Sequence, residues 1–291
     1  MTHFAALASI GQCATLACIW EATAPKPGNV HRGADFDDLT YLDLVTSAIA
    51  IGPSMDAASR GLRLGETVLQ AIQATRASVC TNTNLGSVLL LAPLAMVPTN
   101  RRLDAAAIEP VLAGLDQEDA RLVYEAIRLA QPGGLGRVES ADVSGPAPAD
   151  LRAAMLLAAP RDLVARQYAN DFREIFAEVV PSLADGMARG WCLSVVIVQT
   201  QLHLLSRHGD SLIARKCGEA VSAEVAGRAA GVLESGLPCD DAYRRSLVDF
   251  DSWLRADGHR RNPGTTADLI AAGLFVALRD AIIKPPLRFY A

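Results

Sequence analysis

A group of charged and backbone-bending residues lies near the start of the chain, between two apolar segments. It runs from Pro25 to Asp38 and contains Lys26, two prolines, two glycines and three aspartates. Proline fixes φ and glycine reaches backbone conformations that other residues avoid, so this loop is expected to have a defined shape. Glu21 would stand at the entrance of the loop, because Pro25 and Pro27 prevent the preceding helical pattern from continuing.

Four further polar segments interrupt the apolar chain, one of them Pro132 to Gly136, and we expect all four to lie beside the first loop. Asn82-Thr83-Asn84 opens an apolar helix and would point backbone N–H groups at whatever lies in front of it. Asp210 or Ser211 falls near one face of a predicted helix with Arg215, so a carboxylate and a guanidinium could converge on one ligand. The sequence Gly264-Thr265-Thr266 offers hydroxyl and N–H groups to an anion at the start of the last helix.

The same residues also have purely structural interpretations. An exposed ion pair between Asp210 and Arg215 would contribute only about 0.3–0.5 kcal/mol to stability. A capping role is open at the start of three predicted helices, for Asp37 or Asp38, for Asn82 or Asn84, and for Thr265 or Thr266.

Composition predicts an all-α protein. Hydrophobic residues make up 51% of the 291 residues but aromatic residues only 5%, and alanine and leucine dominate, which favours close-packed helices over β-sandwiches. The net charge of −5 gives the molecule no general attraction for nucleic acid or an anionic membrane. An anionic ligand would therefore have to be held by a local cluster of cations.

Cysteine spacing and the N-terminal sequence both predict a cytoplasmic protein. The six cysteines contain no C-x-x-C pair and no zinc spacing, so we interpret them as buried free thiols. The N-terminus lacks the basic region and apolar core of an export signal. The most apolar runs, Leu85 to Val97 and Trp191 to Val198, are too short to span a bilayer and are predicted to be buried helices.

Helical periodicity continues on both sides of a Gly/Pro-rich loop at about residues 131–150. We therefore predict a single all-helical domain over residues 1–291, a multi-helix bundle with a buried C-terminal helix from Ala267 to Asp280. The loop, which contains Pro132 to Gly136, is interpreted as an active-site flap rather than a domain boundary. Pro53 is predicted to start a new helix, and Asp210 or Ser211 to cap one that continues to about Glu234.

Three of these segments resemble the signatures of the triphosphoribosyl-dephospho-CoA synthases. They are Glu21 with Thr23 to Gly28, Asp210 to Gly218, and Asn262 to Leu269, in the order found in that family. The resemblance extends over nearly the whole chain, and its last two motifs are long and specific. It implies an all-helical enzyme that makes the prosthetic-group precursor for citrate and malonate decarboxylation systems.

The resemblance also implies a transferase whose substrates are ATP and 3′-dephospho-CoA. The 2′-hydroxyl of dephospho-CoA would attack the ribose C1 of ATP, adenine would leave, and the triphosphate would stay on the transferred sugar. A carboxylate near the ring would stabilise the positive charge at C1, and a second would take the hydroxyl proton. The triphosphate would need nearby cations and Mg²⁺ held by one or two carboxylates.

The reaction implied by the resemblance suggests a role for each polar residue. The spacing of the carboxylates leaves open which of them has which role. The catalytic candidates are Glu21, Asp210, and Asp37 or Asp38 as the base. The metal-binding candidates are Asp210 and Asp268. The phosphate- and substrate-binding candidates are Lys26, Asn82, Thr83, Arg215, Lys216, Thr265 and Thr266. His31 and His208 are candidates for an acid or hydrogen-bonding role.

The chain departs from the usual family pattern in the first loop, and at Asn84 and Leu85, where family members have a histidine and a lysine. Similar variants are associated with methanopterin- or methylofuran-type one-carbon cofactor biosynthesis. The first alternative is therefore a related nucleotide-dependent transferase that acts on a different acceptor. The second is a nucleotide-binding module without turnover, which would not need the carboxylates. A homodimer is an oligomeric state that the sequence leaves open.

Overall fold

The computed structural model describes residues 9–133, 142–284 and 286–290. The central part of the predicted flap, residues 134–141, lies outside the described residues. Within the described ranges the chain forms fourteen α-helices, one π-helix and one short strand. In order these are α1 Ile10–Thr23, α2 Tyr41–Ser59, α3 Leu64–Ser78, α4 Leu85–Met96, α5 Ala105–Ala113, α6 Gln117–Ala130, α7 Leu151–Ala158, α8 Leu163–Ala169, the π-helix Ile175–Val179, α9 Val180–Ala188, α10 Leu193–His208, α11 Ser211–Cys217, α12 Glu219–Glu234, α13 Asp241–Arg255, β1 Ala256–His259 and α14 Gly264–Arg279.

Helix α14 lies at the centre of the fold, which confirms the all-α prediction and the buried C-terminal helix. Each residue from Leu269 to Leu278 is buried, because this helix is apolar around its whole circumference. It packs against α1, α4, α9 and α10. Contact with the π-helix is close at Gly273, where an added Cβ would lie 2.2 Å from Val179 Cγ1. The absence of a side chain at Gly273 therefore lets the π-helix pack directly against the central helix.

Helix α2 contradicts the prediction that Pro53 starts a new helix. The helix runs through Pro53 without a break and ends at Ser59, and α3 begins only at Leu64. Proline removes one backbone hydrogen bond, but the buried face of α2 continues on both sides of it, with Ile51 before and Met55 after. Burial of that face keeps the helix continuous.

The predicted helix from Asp210 to Glu234 is divided into α11 and α12. Gly218 separates them with a φ of 93°, a left-handed conformation that suits glycine. The predicted capping by Asp210 is confirmed, since its side chain accepts hydrogen bonds from the N–H groups of Leu212 and Ile213. The break makes α11 a short helix of 7 residues whose start is fixed by Asp210.

A second, smaller apolar cluster from α10, α11, α12 and α13 supports the first polar loop. Gly28, at a φ of 74°, donates its N–H to Asp251 Oδ1 over 2.7 Å. An added Cβ at Gly28 would lie 2.8 Å from Leu254 Cδ1. The loop therefore rests directly on α13, as expected for a loop of defined shape.

The apolar runs and the cysteines behave largely as predicted. Val195 to Val198 lie in α10, and no helix of the described residues is long and apolar enough to cross a membrane. All six cysteines are free. Burial of the thiols holds only in part, because Cys80 and Cys239 are exposed.

Candidate active site

One cleft of about 1040 Å³ is lined by residues from every polar segment that the sequence singled out. This volume is at the upper end of the range for small-molecule pockets, about 300–1,000 Å³. The predicted site residues that line it are Glu21, Asp38, Asn82, Thr83, Arg215, Lys216, Thr265 and Asp268.

A chain of side-chain amides fixes the first loop against the start of α14. Gln201 Nε2 donates to Asn29 Oδ1 over 2.8 Å and to the Pro27 carbonyl over 3.0 Å. Asn29 Nδ2 in turn donates to Asn262 Oδ1 over 2.6 Å. Because Asn29 and Asn262 both line the cleft, this network sets the separation of two of its walls.

Lys26 lies behind the cleft surface, which corrects its predicted direct contact with phosphate. Its side chain is fully buried, and its Nζ lies 2.7 Å from Glu21 Oε1. The same Nζ donates to the main-chain carbonyl of Glu21 over 2.6 Å. Glu21 itself lines the cleft. Lys26 therefore reaches the ligand site only through Glu21.

Asp38 is the member of the Asp37–Asp38 pair that lines the cleft, and Asp37 does not. His259 Nε2 lies 3.3 Å from Asp38 Oδ2. The His259 ring stacks on Phe36 with a centroid separation of 4.9 Å. Neither aspartate caps α2, because Thr40 takes that position in a capping box with Asp43. Asp38 and His259 thus form a pair at the cleft.

Asp268 occupies a tight position between α14 and the start of α4. Its Oδ1 accepts a hydrogen bond from Ser87 Oγ over 2.6 Å. Its Oδ2 would lie 2.0 Å from a Cβ added at Gly86, so only glycine leaves room for the carboxylate. Burial raises the pKa of Asp268 to about 7, and the negative charge of Glu21 adds to that rise, whereas the Ser87 hydrogen bond opposes it.

Asp210 and Thr266 lie behind the cleft, which corrects the predicted catalytic and metal role of Asp210 and the phosphate role of Thr266. Asp210 is 1% exposed, and Oδ1 accepts from the first turn of α11. Oδ2 accepts from both the N–H and the hydroxyl of Thr266, each over 2.8 Å. With four hydrogen bonds already made, this carboxylate has little capacity left for a metal ion. Thr265, the neighbouring residue, does line the cleft.

Four cations, Arg128, Arg161, Arg215 and Lys216, form the basic part of the cleft lining. Arg215 Nη1 is paired with Asp162 Oδ2, and Asp162 also caps α8. Arg215 Nε is buried and has no hydrogen-bond partner among the described residues. A buried guanidinium N–H without an acceptor is uncommon, so this group is suited to an incoming anionic ligand.

The residues just before α4 and its first residue, Leu85, bring polar and apolar groups next to each other. Thr83 Oγ1 donates to Ser47 Oγ over 2.6 Å, and Asn82 Oδ1 accepts from the Leu85 N–H over 3.3 Å. The predicted cap at Asn82 is therefore present, but Asn84 makes no capping bond. Asn84 is instead held by the Thr75 hydroxyl, and Leu85 adds an apolar surface to the cleft.

His31 and His208 do not line the cleft. His31 Nδ1 accepts from the Gly33 N–H over 3.1 Å, and His208 Nε2 lies 3.1 Å from Glu178 Oε2. Burial, together with the charge of Arg255, lowers the pKa of His31. Both histidines have local structural partners, so neither is placed for the predicted acid role.

Sequence inspection missed several cleft residues, for identifiable reasons. His259 belongs to a polar turn at residues 257–261, in which nothing local distinguishes it as a site residue. Asp162 and Ser87 stand at or near helix starts, where aspartate and serine are expected as caps, so nothing local distinguished them. Asn262 stood out only as the first residue of the last family signature, and nothing else in the sequence indicated a role beyond the turn. The missed residues at the cleft include Ser87, Arg128, Arg161, Asp162, His259 and Asn262.

The donor set fits Mg²⁺ only if the ligand completes the coordination. Among residues 9–133, 142–284 and 286–290, no three His, Cys, Asp or Glu side chains are grouped closely enough to bind a metal ion. Mg²⁺ in nucleotide sites is held by one or two carboxylates together with phosphate oxygens and water. Asp268, whose pKa is raised to about 7 by burial and further by the nearby charge of Glu21, has the environment of a carboxylate that a cation would stabilise.

The fold is all-helical, and its cleft brings carboxylates and cations together. The sequence profile of the family described as CitG, ATP:dephospho-CoA triphosphoribosyl transferase, matches residues 7–285. The chain belongs to that family and is a transferase.

Structural comparison agrees with this assignment. A crystal structure from Archaeoglobus fulgidus, provisionally identified as a triphosphoribosyl-dephospho-CoA synthase, matches with a TM-score of 0.64 and 26% sequence identity. The match covers 81% of this chain and 99% of the other chain. No curated protein matches the chain.

Proposed function

We propose that this protein transfers the triphosphoribosyl group of ATP to a hydroxyl group of dephospho-CoA and releases adenine. The observation that carries the proposal is that carboxylates and cations line one cleft together, Glu21, Asp38 and Asp268 with Arg215 and Lys216. In the reaction the bond between ribose C1 and the adenine nitrogen breaks, and its electron pair leaves with adenine. The hydroxyl oxygen bonds to C1, and the proton it loses balances the proton that adenine gains.

The triphosphate binds at the basic part of the cleft. Lys216 provides a compact charge, and Arg215 provides the buried Nε N–H that lacks an acceptor. Thr265 lies in the first turn of α14 and lines the cleft, so its hydroxyl can donate to a phosphate oxygen. These groups hold the substrate by its phosphates and leave its sugar free to face the carboxylates.

Glu21 stabilises the transition state of the sugar. Departure of adenine builds positive charge at C1, and a fixed carboxylate nearby lowers the energy of that state. Glu21 suits this task because its side chain is 14% exposed and its Oε1 is already held by Lys26. A fixed charge needs no reorganisation during the reaction.

The Asp38–His259 pair takes the proton of the acceptor hydroxyl. Both side chains line the cleft, and the 3.3 Å separation of their Oδ2 and Nε2 atoms lets the carboxylate orient the imidazole. Stacking on Phe36 restricts the ring further. Histidine is suited to this task because its ordinary pKa is close to physiological pH.

Mg²⁺ would be held by Asp268, with the triphosphate oxygens and water as its other ligands. When bound, the ion would neutralise part of the phosphate charge. Ser87 holds Oδ1 of Asp268 by a hydrogen bond, and the absence of a side chain at Gly86 leaves room for Oδ2 itself. These two neighbours fix the position of the carboxylate.

The proposal is tested by incubating the protein with ATP, Mg²⁺ and dephospho-CoA and separating the products by chromatography. We expect free adenine and a product heavier than dephospho-CoA by one triphosphoribosyl group, and both to form much more slowly with Glu21→Gln. Release of ADP or phosphate in place of adenine would rule out cleavage at the ribose. Adenine release with other hydroxyl compounds but not with dephospho-CoA would support the alternative acceptor, and binding of ATP without any adenine would support the non-catalytic module.

A further inference from the structure

Lys26 has no exposed surface, yet it contacts one of the proposed catalytic groups directly. We propose that Lys26 is a positioning residue, which clamps the Glu21 carboxylate in its reactive orientation and makes no contact with substrate. The inference rests on the proposed function for the role of Glu21. The clamp itself is a structural relationship that can be measured without turnover.

One ammonium group holds both ends of the Glu21 residue. Lys26 Nζ donates to the main-chain carbonyl of Glu21 over 2.6 Å and contacts its Oε1 at 2.7 Å. The side chain of Glu21 is thereby tied at its base and at its tip, which restricts all its rotatable bonds. Oε2 makes no hydrogen bond to the described part of the chain, so it is the oxygen free to face a ligand.

The backbone of Lys26 is itself fixed. Pro25 and Pro27 lock φ on either side, and the Lys26 N–H donates to the Ala24 carbonyl over 2.7 Å. Glu21 lies in the last turn of α1, where carbonyl groups lack helical partners and a cation is favourable. The Pro-Lys-Pro sequence therefore turns the lysine back onto the end of the helix it follows.

The presence of lysine rather than arginine at position 26 also indicates a role that requires a compact charge. The lysines of this chain are Lys26, Lys216 and Lys284, whereas its other basic residues are arginines. A guanidinium is planar and larger, and its donors form a fork suited to paired oxygens of one carboxylate. An ammonium can instead meet a carbonyl and a carboxylate oxygen from one buried point.

A kinetic comparison separates this role from binding of phosphate. If Lys26 acts through Glu21, then Lys26→Met lowers kcat by about a hundredfold, the scale for loss of one fixed electrostatic group, and leaves the KM for ATP near that of wild type. In the Glu21→Gln background the same change causes no further loss of kcat. Lys216→Met serves as the contrast and should raise the KM for ATP, and Lys284→Met, on an exposed lysine, should change neither constant.

A double-mutant cycle on stability tests the clamp independently of catalysis. Denaturant unfolding is measured for wild type, Lys26→Met, Glu21→Gln and the double variant. Each single change leaves one partner of a buried pair without its counter-charge, whereas the double variant leaves none. We expect the double variant to be more stable than the sum of the single effects predicts.

The two measurements also separate failure of the clamp from failure of the proposed function. If wild type releases no adenine, the proposed function fails, and the stability cycle alone decides on the clamp. Additive stability effects, or a raised KM for ATP with unchanged kcat in Lys26→Met, would overturn the inference. If Lys26→Met does not fold but the double variant does, that result supports the clamp, and kcat is then compared between the double variant and Glu21→Gln.

Discussion

Asp210 joins the first turns of two helices by a single carboxylate, since its Oδ2 accepts both the N–H and the hydroxyl of Thr266 while Oδ1 caps α11. Arg215 and Lys216 lie on α11, and Asp268 lies on α14. The buried joint at Asp210 and Thr266 therefore fixes the basic residues relative to the carboxylate proposed for Mg²⁺.

Asp210→Asn should destabilise the protein and impair catalysis together. An amide NH₂ in place of Oδ2 cannot accept from Thr266, and the lost charge-assisted bonds correspond to about 1.5–3 kcal/mol. Denaturant unfolding and the rate of adenine release measure the two effects. The matched control is Thr266→Val, which removes only the hydroxyl bond and should show a smaller loss; equal losses in the two variants would contradict the proposed joint.

Lys216→Met should weaken ATP binding by about 1.5–3 kcal/mol, the typical contribution of a hydrogen bond to a charged group. The structure places Lys216 in the cleft lining without an ion-pair partner among the described residues, so removal should leave the unfolding free energy nearly unchanged. Isothermal titration with ATP measures the affinity. Affinity equal to that of wild type would remove Lys216 from the phosphate site.

Gly86→Ala should abolish activity without unfolding the protein. The added Cβ would lie 2.0 Å from Asp268 Oδ2, so the carboxylate must move away from its place between Ser87 and the cleft. Gly227 in α12 provides the control, because an added Cβ there meets nothing within 4 Å. Gly227→Ala should keep full activity and gain up to about 1 kcal/mol of stability, as expected for alanine in a helix interior. An active Gly86→Ala would show that Asp268 need not occupy its present position.

The stability of the metal-free protein should depend on pH through Asp268. Burial and the charge of Glu21 raise the pKa of this carboxyl from 3.8 to about 7 on folding, so between these values the folded state binds more protons than the unfolded state. The contribution of Asp268 to stability therefore falls as pH rises from 3.8 to about 7. Denaturant unfolding across this range measures it, and Asp268→Asn should remove that component of the pH dependence.

Asp268→Asn should also make ATP binding much less dependent on Mg²⁺, because the proposed ion loses its protein ligand while the phosphate contacts remain. In wild type, ion binding must displace the proton, so the advantage given by Mg²⁺ should increase as pH rises through about 7. Calorimetric titrations with Mg²⁺ and with excess chelator compare the two proteins. Equal wild-type affinity in chelator would contradict the metal role of Asp268.

The amino-acid sequence by itself determined the fold class, the central position of the last helix and the identity of the segments that meet at the cleft. These follow from patterns that are local in the chain: an apolar helix without a polar face must be buried, and polar residues at helix starts must face a common space or solvent. The family signatures were equally visible, because each is a continuous stretch.

Only the tertiary structure decided which side chain of each segment faces the ligand. Lys26 and Glu21 belong to one motif, yet one is buried behind the other, and Asp210 is closed by Thr266, 56 positions further along the chain. Pro53 likewise remains within α2, because the burial of Ile51 and Met55 outweighs one lost hydrogen bond. The charge and spacing of a residue indicate what it can bind. Its actual partners come from distant segments of the chain, so tertiary packing determines which of its oxygen or nitrogen atoms stays free for a ligand.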